Sequence, residues 1–400
     1  SGHILIEAYK VLKEIYTERG HRSRDIPQLI LEHNLFGLDI DDRAGQLAGF
    51  ALIMLAREDD RRILSRMAES GFRFNVLSLQ ESRHLDVAAL WKALNLTNDW
   101  LRGQSQSLFD SEQTDLSAAQ ADNRYQLLKT TLARFTQAKT FGSLIEVPAE
   151  DAEPLGELLE QLRQLAKDGD SMQKPASQQL ISFVQQAWVL AHRFDAVVAN
   201  PPYMGSKYQV PAVKKYLADF FRGYDKDLFS AFIVRNLQLS KKHGQLGFMT
   251  PFVWMFISSY EQLRSKLIDD EVISSLVQLE YSGFDGATVP ICTFTLSKGH
   301  IKDYKGCYVR LSEFKGAEAQ GPKTLEAIHN RSCGWFFEVK PDHFKKIPGS
   351  PIAYWISDNV RSLYEKCFMA SDISTAVVGL QTGDNDKFMR FWHEVNIDKL

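Results

Sequence analysis

Cysteine is scarce in this chain, with four in 400 residues, and Cys292, Cys307, Cys333 and Cys367 stand far apart. That scatter excludes a disulfide framework and supplies no close pair of thiolates for a structural zinc; a reducing, cytoplasmic compartment suits it. Long apolar runs are also missing. None reaches membrane-spanning length, and the amino terminus lacks the basic-then-apolar pattern of a secretory signal. Strong charge of one sign is absent too, since the net charge is only −3. The balance is uneven, with 28 acidic against 22 basic residues in 1–200, and 22 against 25 in 201–400. A mildly basic second half could face a phosphate backbone or simply be a solvated surface, so charge alone leaves DNA binding open. No internal repeat or low-complexity tract points to a solenoid or a disordered linker.

What is present is an ordinary globular composition, 44% hydrophobic and 24% charged, over a length that suits about two or three domains. Apolar residues at helical spacing run from Gly2 to Tyr16, and Gly20 can end that helix. Asn34 to Ile40 reads as a strand, followed by a helix from Arg43 to about Arg57. Phe72 to Leu79 reads as a further strand. Residues 85–190 break this rhythm: they are Gln-rich and polar, with helices expected over 125–138, 155–166 and 178–190, and they display no chemistry of their own. Strands and helices then alternate again. Phe194–Ala199, Leu246–Met249, Val272–Leu279 and Val289–Leu296 read as strands, and Leu228–Leu239 and Tyr260–Ile268 as helices. Repeated βα units imply an α/β fold, a doubly wound, mostly parallel sheet with helices on both faces.

The sharpest local feature is Asn200-Pro201-Pro202-Tyr203, which ends the β-branched run Phe194–Ala199. The run reads as a buried parallel strand. Two consecutive prolines fix φ and donate no N–H, so the loop is stiff and its carbonyls stay out of any ladder. Asn200 and the carbonyl of Pro201 then form a fixed pair of acceptors, and Tyr203 adds a flat ring beside them. Those parts are what an exocyclic amino group on a planar base requires. The plain alternative is a Pro-Pro turn whose asparagine caps a neighbour and whose tyrosine is core.

A second feature is Asn34-Leu35-Phe36-Gly37-Leu38-Asp39-Ile40-Asp41. An acidic residue at a strand end can offer its carboxylate to both hydroxyls of a ribose. Asp39 takes that role here, with Ile40 against an adenine face, and Asp42 is expected to cap the next helix. The alternative is that Asp39 is itself only a cap or loop residue.

With these residues on the page, the chain resembles S-adenosylmethionine-dependent amino-methyltransferases, whose catalytic loop carries Asn or Asp-Pro-Pro-Tyr after the fourth sheet strand. Ser1-Gly2-His3-Ile4-Leu5 is similar to the end of their glycine loop, which implies that Ser1, Gly2 and His3 line the cofactor. Departing from that pattern, the loop's aspartate, its first glycine and the strand before it are absent. Ser282-Gly283-Phe284-Asp285-Gly286-Ala287-Thr288-Val289 resembles the aromatic loop of the adenine-N6 branch, which implies that Phe284 stacks on an extruded base; the alternative is a phenylalanine folded back on the core. The motif order resembles the gamma group of DNA adenine-N6 methyltransferases. Phe141-Gly142-Ser143-Leu144-Ile145 and the stretch from Val378 to Phe388 are similar to PglX-type methyltransferases of bacteriophage-exclusion systems.

The resemblance implies four segments: residues 1–84 as the cofactor half of a Rossmann-like methyltransferase domain, 85–192 as a helical insertion, 193–370 as the catalytic half with an extension, and 371–400 as the start of a target-recognition domain. It implies S-adenosyl-L-methionine as cofactor, double-stranded DNA as partner, adenine-N6 methylation by base flipping in a phage-defence or restriction-modification setting, and no metal. Other readings stay open: a catalytically inactive DNA-binding scaffold, or a protein-glutamine or RNA-guanine methyltransferase with the same tetrapeptide. A doubly wound sheet needs a strand before Ser1, so the sequence is expected to be a section of a longer protein. A helical region would precede it and a DNA-reading domain follow Leu400, and residues 1–400 alone would leave strand edges unpaired.

Overall fold

A computed structural model describes residues 2–70, 75–96, 123–281, 283, 289–368 and 370–375. Ser1, Phe284 and the stretch from Val378 to Phe388 lie outside the described residues.

Helix α1 (His3–Glu18) buries Tyr9 and packs Leu5, Ala8, Leu12 and Tyr16 onto a small core with Ile26, Ile30, Leu31, Leu35 and Leu52. The stripe is the i, i+3, i+4, i+7 face that the sequence pattern demands. Strand β1 (Phe36–Asp39) follows, then helix α2 (Asp42–Asp59), then strand β2 (Asn75–Ser78). β1 and β2 pair in parallel, from Phe36 opposite Asn75 to Asp39 opposite Ser78. α2 turns its small residues Gly45, Ala48 and Gly49 inward. A β-carbon on Gly2 would sit 2.8 Å from Ala48 Cα, so glycine there lets α1 start directly against α2.

The insertion is built on α3 (Val87–Leu94), α4 (Asn123–Arg134), α5 (Ala152–Asp168) and α6 (Gln173–Ala191). Its core of Leu128, Leu132, Phe135, Leu155, Leu158, Leu162, Leu180 and Val184 also contains Leu79 and Leu239 and receives Leu38 and Val197. The insertion therefore shares a core with both sheets rather than forming a separate body.

The second sheet has six strands: β3 (Phe194–Ala199), β4 (Ser240–Pro251), β5 (Val272–Gln278), β6 (Ile291–Ser297), β7 (Gly306–Arg310) and β8 (Phe336–Val339). Their order is β3-β4-β6-β5-β7-β8. Helices α7 (Pro211–Phe220), α8 (Leu228–Leu239) and α9 (Glu261–Asp269) connect the early strands. Under the sheet, Trp254 and Phe294 are fully buried with rings 5.1 Å apart, and Phe248 lies 5.3 Å from Phe294. Each such aromatic pair adds about 0.5–1.5 kcal/mol beyond area burial.

The α/β class stands, but the pairing is more mixed than a mostly parallel sheet. β3 and β4, β5 and β7, and β1 and β2 are parallel; β4 and β6, β5 and β6, and β7 and β8 are antiparallel. Apolar alternation reports extension and burial, and strand direction leaves no trace in it. β3 is parallel as expected but is not buried. Among the described residues it lies at one edge of its sheet, and Val198 is 57% exposed. Strand β4 is longer than expected because it runs on through Gly244, whose missing side chain admits Ser240 Oγ and the Asp195 carbonyl. Among the described residues, no helix is long and apolar enough to cross a membrane.

Candidate active site

The tetrapeptide Asn200-Pro201-Pro202-Tyr203 leaves the carboxyl end of β3, where open α/β sheets bind their ligands. Pro201 is buried, while Asn200, Pro202 and Tyr203 are exposed. No backbone hydrogen bond engages the Pro201 carbonyl among the described residues. The Tyr203 hydroxyl lies 3.1 Å from Asn200 Oδ1 and 3.3 Å from the Met249 carbonyl at the end of β4. Tyr203 thus does more than present a ring: its hydroxyl donates to the acceptor that the sequence assigns to a substrate amine. Partial burial pushes its phenol pKa up, so the hydroxyl stays protonated and a donor.

The loop is rooted in Asp227, the N-cap of α8. Asp227 Oδ1 accepts the backbone N–H of Phe229 at 3.2 Å and of Met204 at 2.9 Å. The Leu228 N–H returns a bond to the Met204 carbonyl at 3.1 Å. Burial raises the Asp227 pKa, against the lowering effect of the N–H groups of Met204, Phe229 and Leu228. The sequence reading missed Asp227, although Asp before Leu-Phe-Ser-Ala is an ordinary cap signal.

On the other side, Asp39 ends β1. One carboxylate oxygen accepts the Asp41 N–H at 2.9 Å, and its backbone carbonyl takes the Leu79 N–H at 2.9 Å. The second carboxylate oxygen has no partner among the described residues and is available to a hydroxyl. Ile40 is 48% exposed, an apolar side chain left open beside that acid. The helix cap is Asp41, which accepts from the Ala44 N–H at 2.8 Å; the expected cap, Asp42, is instead the first helical residue. The backbone turns from extended to helical at Asp41, and only that residue's oxygen reaches the third N–H of the helix. The first turn of α1 reaches the same strand: a β-carbon on Gly37 would meet Leu5 Cδ1 at 2.8 Å. Gly2 has φ +83° at the helix start, and His3 is exposed beside it.

Between the two sides lies a turn of the insertion, residues 139–145, in which the sequence displayed no chemistry. Lys139 Nζ donates to the Ile40 carbonyl at 2.8 Å and to Asp42 Oδ1 at 2.7 Å. Lys139, with Ser78 and Gln80, holds the Asp42 carboxyl at about 2, below its ordinary 3.8. Gly142 has φ +57° and ψ −140°, a conformation open essentially to glycine alone, and a β-carbon there would meet Ile40 Cγ2 at 2.9 Å. From the catalytic side, Phe141 stacks on Tyr216 of α7 at 4.4 Å, and the Tyr216 hydroxyl donates to the Leu144 carbonyl at 3.1 Å. Arg235 of α8, fully buried, donates to the carbonyls of Ser143 at 2.9 Å and Ile145 at 2.8 Å. Burial pulls its guanidinium down to about 10, with Glu146 opposing. A glycine inside an apolar pentapeptide, set in a polar insertion, was the available signal for this turn.

A polar groove of about 890 Å³ opens between residues 222–226 and α9. It carries both signs of charge and none of the residues discussed so far, so it is a neighbour of the site and not part of it. Among the described residues, no three His, Cys, Asp or Glu side chains converge as a metal cluster would.

An acid at one strand end, a loop with an open carbonyl at another and an insertion turn touching both sides belong to an α/β domain whose candidate site lies at the carboxyl ends of its strands. Its lineage is a particular one. The family described as Eco57I restriction-modification methylase matches residues 33–284, and the chain belongs to that family. It is 44% identical over its whole length to the adenine-specific methyltransferase BrxX of Escherichia coli O9:H4 (strain HS), covering 32% of that protein. It is 30% identical, again over its whole length, to the adenine-specific methyltransferase PglX of Lacticaseibacillus casei (strain Zhang), covering 31% of it. The type II restriction enzyme and methyltransferase RM.Eco57I of Escherichia coli is 24% identical over 46% of this chain and 19% of its own length. The chain spans about a third of the length of the first two relatives.

Proposed function

We propose that the protein to which this chain belongs methylates the N6 amino group of adenine in double-stranded DNA, using S-adenosyl-L-methionine. The observation that carries the reading is the Asn200–Tyr203 loop, with its Pro201 carbonyl open and its base anchored by Asp227. Whole-length similarity to two adenine-specific methyltransferases supports the choice of base. Asp39 would take the ribose hydroxyls, Ile40 the adenine face, and the Gly2–His3 turn the amino-acid part of the cofactor. The cofactor supplies a sulfonium methyl. The protein's task is then geometric and electrostatic. An exocyclic adenine nitrogen is a poor nucleophile because its lone pair is delocalised into the ring. Asn200 Oδ1 and the Pro201 carbonyl would accept hydrogen bonds from its two N–H groups, so that the nitrogen becomes more tetrahedral and its lone pair is free to attack, one N–H proton being given up to solvent once the new N–C bond has formed.

The base must leave the duplex to reach this loop, and Tyr203, with Phe284, would replace the lost stacking. The Tyr203 hydroxyl would hold Asn200 Oδ1 until the target amine displaces it. Residues 371–400 would open a target-recognition domain. Other proteins of a phage-defence system would be partners, and the setting would be cytoplasmic. The test is cofactor-dependent methylation of duplex DNA by the full-length protein, read by long-read sequencing. Modified adenine at a defined site is expected; modified cytosine, or unmodified DNA, would overturn the reading.

A further inference from the structure

The turn that follows Tyr203 carries a surface with no part in the chemistry above. It is tightly built: Tyr208 N–H donates to the Gly205 carbonyl at 2.8 Å, Ser206 N–H to the Lys226 carbonyl at 3.0 Å, and Gln209 Nε2 to the Met204 carbonyl at 3.0 Å. On this fixed turn Tyr208 is 74% exposed, with Lys207 Nζ 5.9 Å from its ring centre. Helix α7 follows at once. It buries Val213 and Leu217 and leaves Lys214 and Lys215 exposed. Residues 203–226 hold five basic side chains and two acidic ones, Asp219 and Asp225. Among the described residues, Lys207, Lys214, Lys215 and Arg222 have no carboxylate within ion-pair distance; Lys226 alone does, with Asp225 at 3.8 Å. Elsewhere among the described residues of the same half some lysines are paired, as in Lys241 with Asp195, Lys266 with Asp270, Lys340 with Asp303 and Lys345 with Asp269. The exposed Lys242, Lys302, Lys305, Lys315 and Lys366 are not, but they stand apart from any such exposed ring on a turn beside the candidate site.

Unpaired cations beside an exposed aromatic ring and on the helix that follows it fit a polyanion that also has flat faces. Lysines on phosphates supply register and affinity without reading sequence, and an aromatic ring accepts any base or sugar. We propose that Lys207, Lys214 and Lys215 grip the phosphates of the DNA strand flanking the extruded nucleotide, with Tyr208 against the sugar or base beside it. The proposal rests on the DNA reading above and adds to it the surface that holds the substrate strand.

The experiment uses the full-length protein, wild type against K207Q/K214Q/K215Q and against Tyr208→Ala. DNA-methylation kinetics and duplex binding by fluorescence anisotropy are measured across a salt series, with cofactor affinity by calorimetry. For the triple variant, KM for DNA and the binding constant should weaken roughly tenfold or more at moderate salt. The slope of log affinity against log salt should shrink by about one per lysine removed. Tyr208→Ala should weaken binding with little change in that slope. kcat at saturating DNA and cofactor affinity should not move. An unchanged KM and slope in an active triple variant would overturn the proposal, as would a fall in kcat with KM intact. If the wild type binds duplex DNA but methylates nothing, the functional reading falls. The proposal is then decided by anisotropy alone, and equal slopes for wild type and triple variant would reject it.

Discussion

The two ends of the candidate site are built in opposite ways. At the catalytic end, the loop springs from a six-stranded sheet, its root Asp227 is half-buried, and the helix behind it carries a fully buried Arg235 bonded to backbone carbonyls. At the cofactor end, the acid sits on a two-stranded sheet, Ile40 and Asp42 are open to solvent, and Lys139 reaches across to hold them. Behind the loop, the Arg235 bonds are desolvated and costly to leave unmade, while the loop's own bonds from Tyr203 to Asn200 and from Met204 to Asp227 are exposed. The cofactor end is positioned by exposed bonds, whose worth is modest and falls with salt. On the proposed function the difference is a division of labour: the scaffold behind the acceptors is fixed, whereas the seat of a ligand that enters and leaves each turnover is open.

The sharpest way to test that division is Asn200→Ala. It should lower kcat by about 10²–10³, the usual cost of a missing transition-state acceptor, while cofactor affinity by calorimetry stays at the wild-type value. An equal collapse of both would mean that the two ends are one unit. Asp39→Ala is the counterpart. Loss of charge-assisted hydrogen bonds to the ribose should weaken cofactor binding by about 1.5–3 kcal/mol, with kcat recovered at saturating cofactor. Normal binding with earlier melting would make Asp39 only a loop residue.

Gly142→Ala strikes the joint. The left-handed backbone and the contact with Ile40 should cost about 1–3 kcal/mol, and the cost should fall on cofactor affinity and kcat together. A pure stability loss, seen by thermal melting with normal kinetics, would show that the turn does not couple the ends. Asp227→Ala should remove a helix cap worth about 0.5–2 kcal/mol and loosen the catalytic loop, lowering kcat. Asp227→Asn keeps the acceptor oxygen without the buried charge and should restore both melting temperature and rate.

Lys139→Ala should have the smallest effect. Asp42 is held at about 2, below its ordinary 3.8, so its bond with Lys139 is present above the ordinary value and is lost only as pH falls through about 2. Rates at neutral pH should change little. The Asp42 titration midpoint followed by NMR should rise toward 3.8 in the variant, and an unmoved midpoint would leave Ser78 and Gln80 as the real partners.

Much of this site was legible in the chain because its parts are local. Pro201 and Pro202 dictate a stiff loop wherever they stand, and the extended run before them had to be a strand. Asp39 was legible by its place at the end of a strand. The partners of these residues were not. Nothing near Asn200 announces the Tyr203 hydroxyl as its donor, and the Asp41–Asp42 choice of cap turns on one backbone dihedral. The 139–145 turn lies 97 residues from Asp42 along the chain yet within 2.7 Å of it.

The sequence by itself determined the α/β class, the positions of β1, β3 and α8, the stiff form of the Asn200–Tyr203 loop and the family resemblance, because each follows from neighbouring residues and periods of two or 3.6. Tertiary structure alone decided that half of the ladders among the described residues are antiparallel, and that a turn of the polar insertion touches both sides of the candidate site. Those outcomes depend on which segments meet across long loops, and a pairing between distant segments leaves no periodicity in either of them.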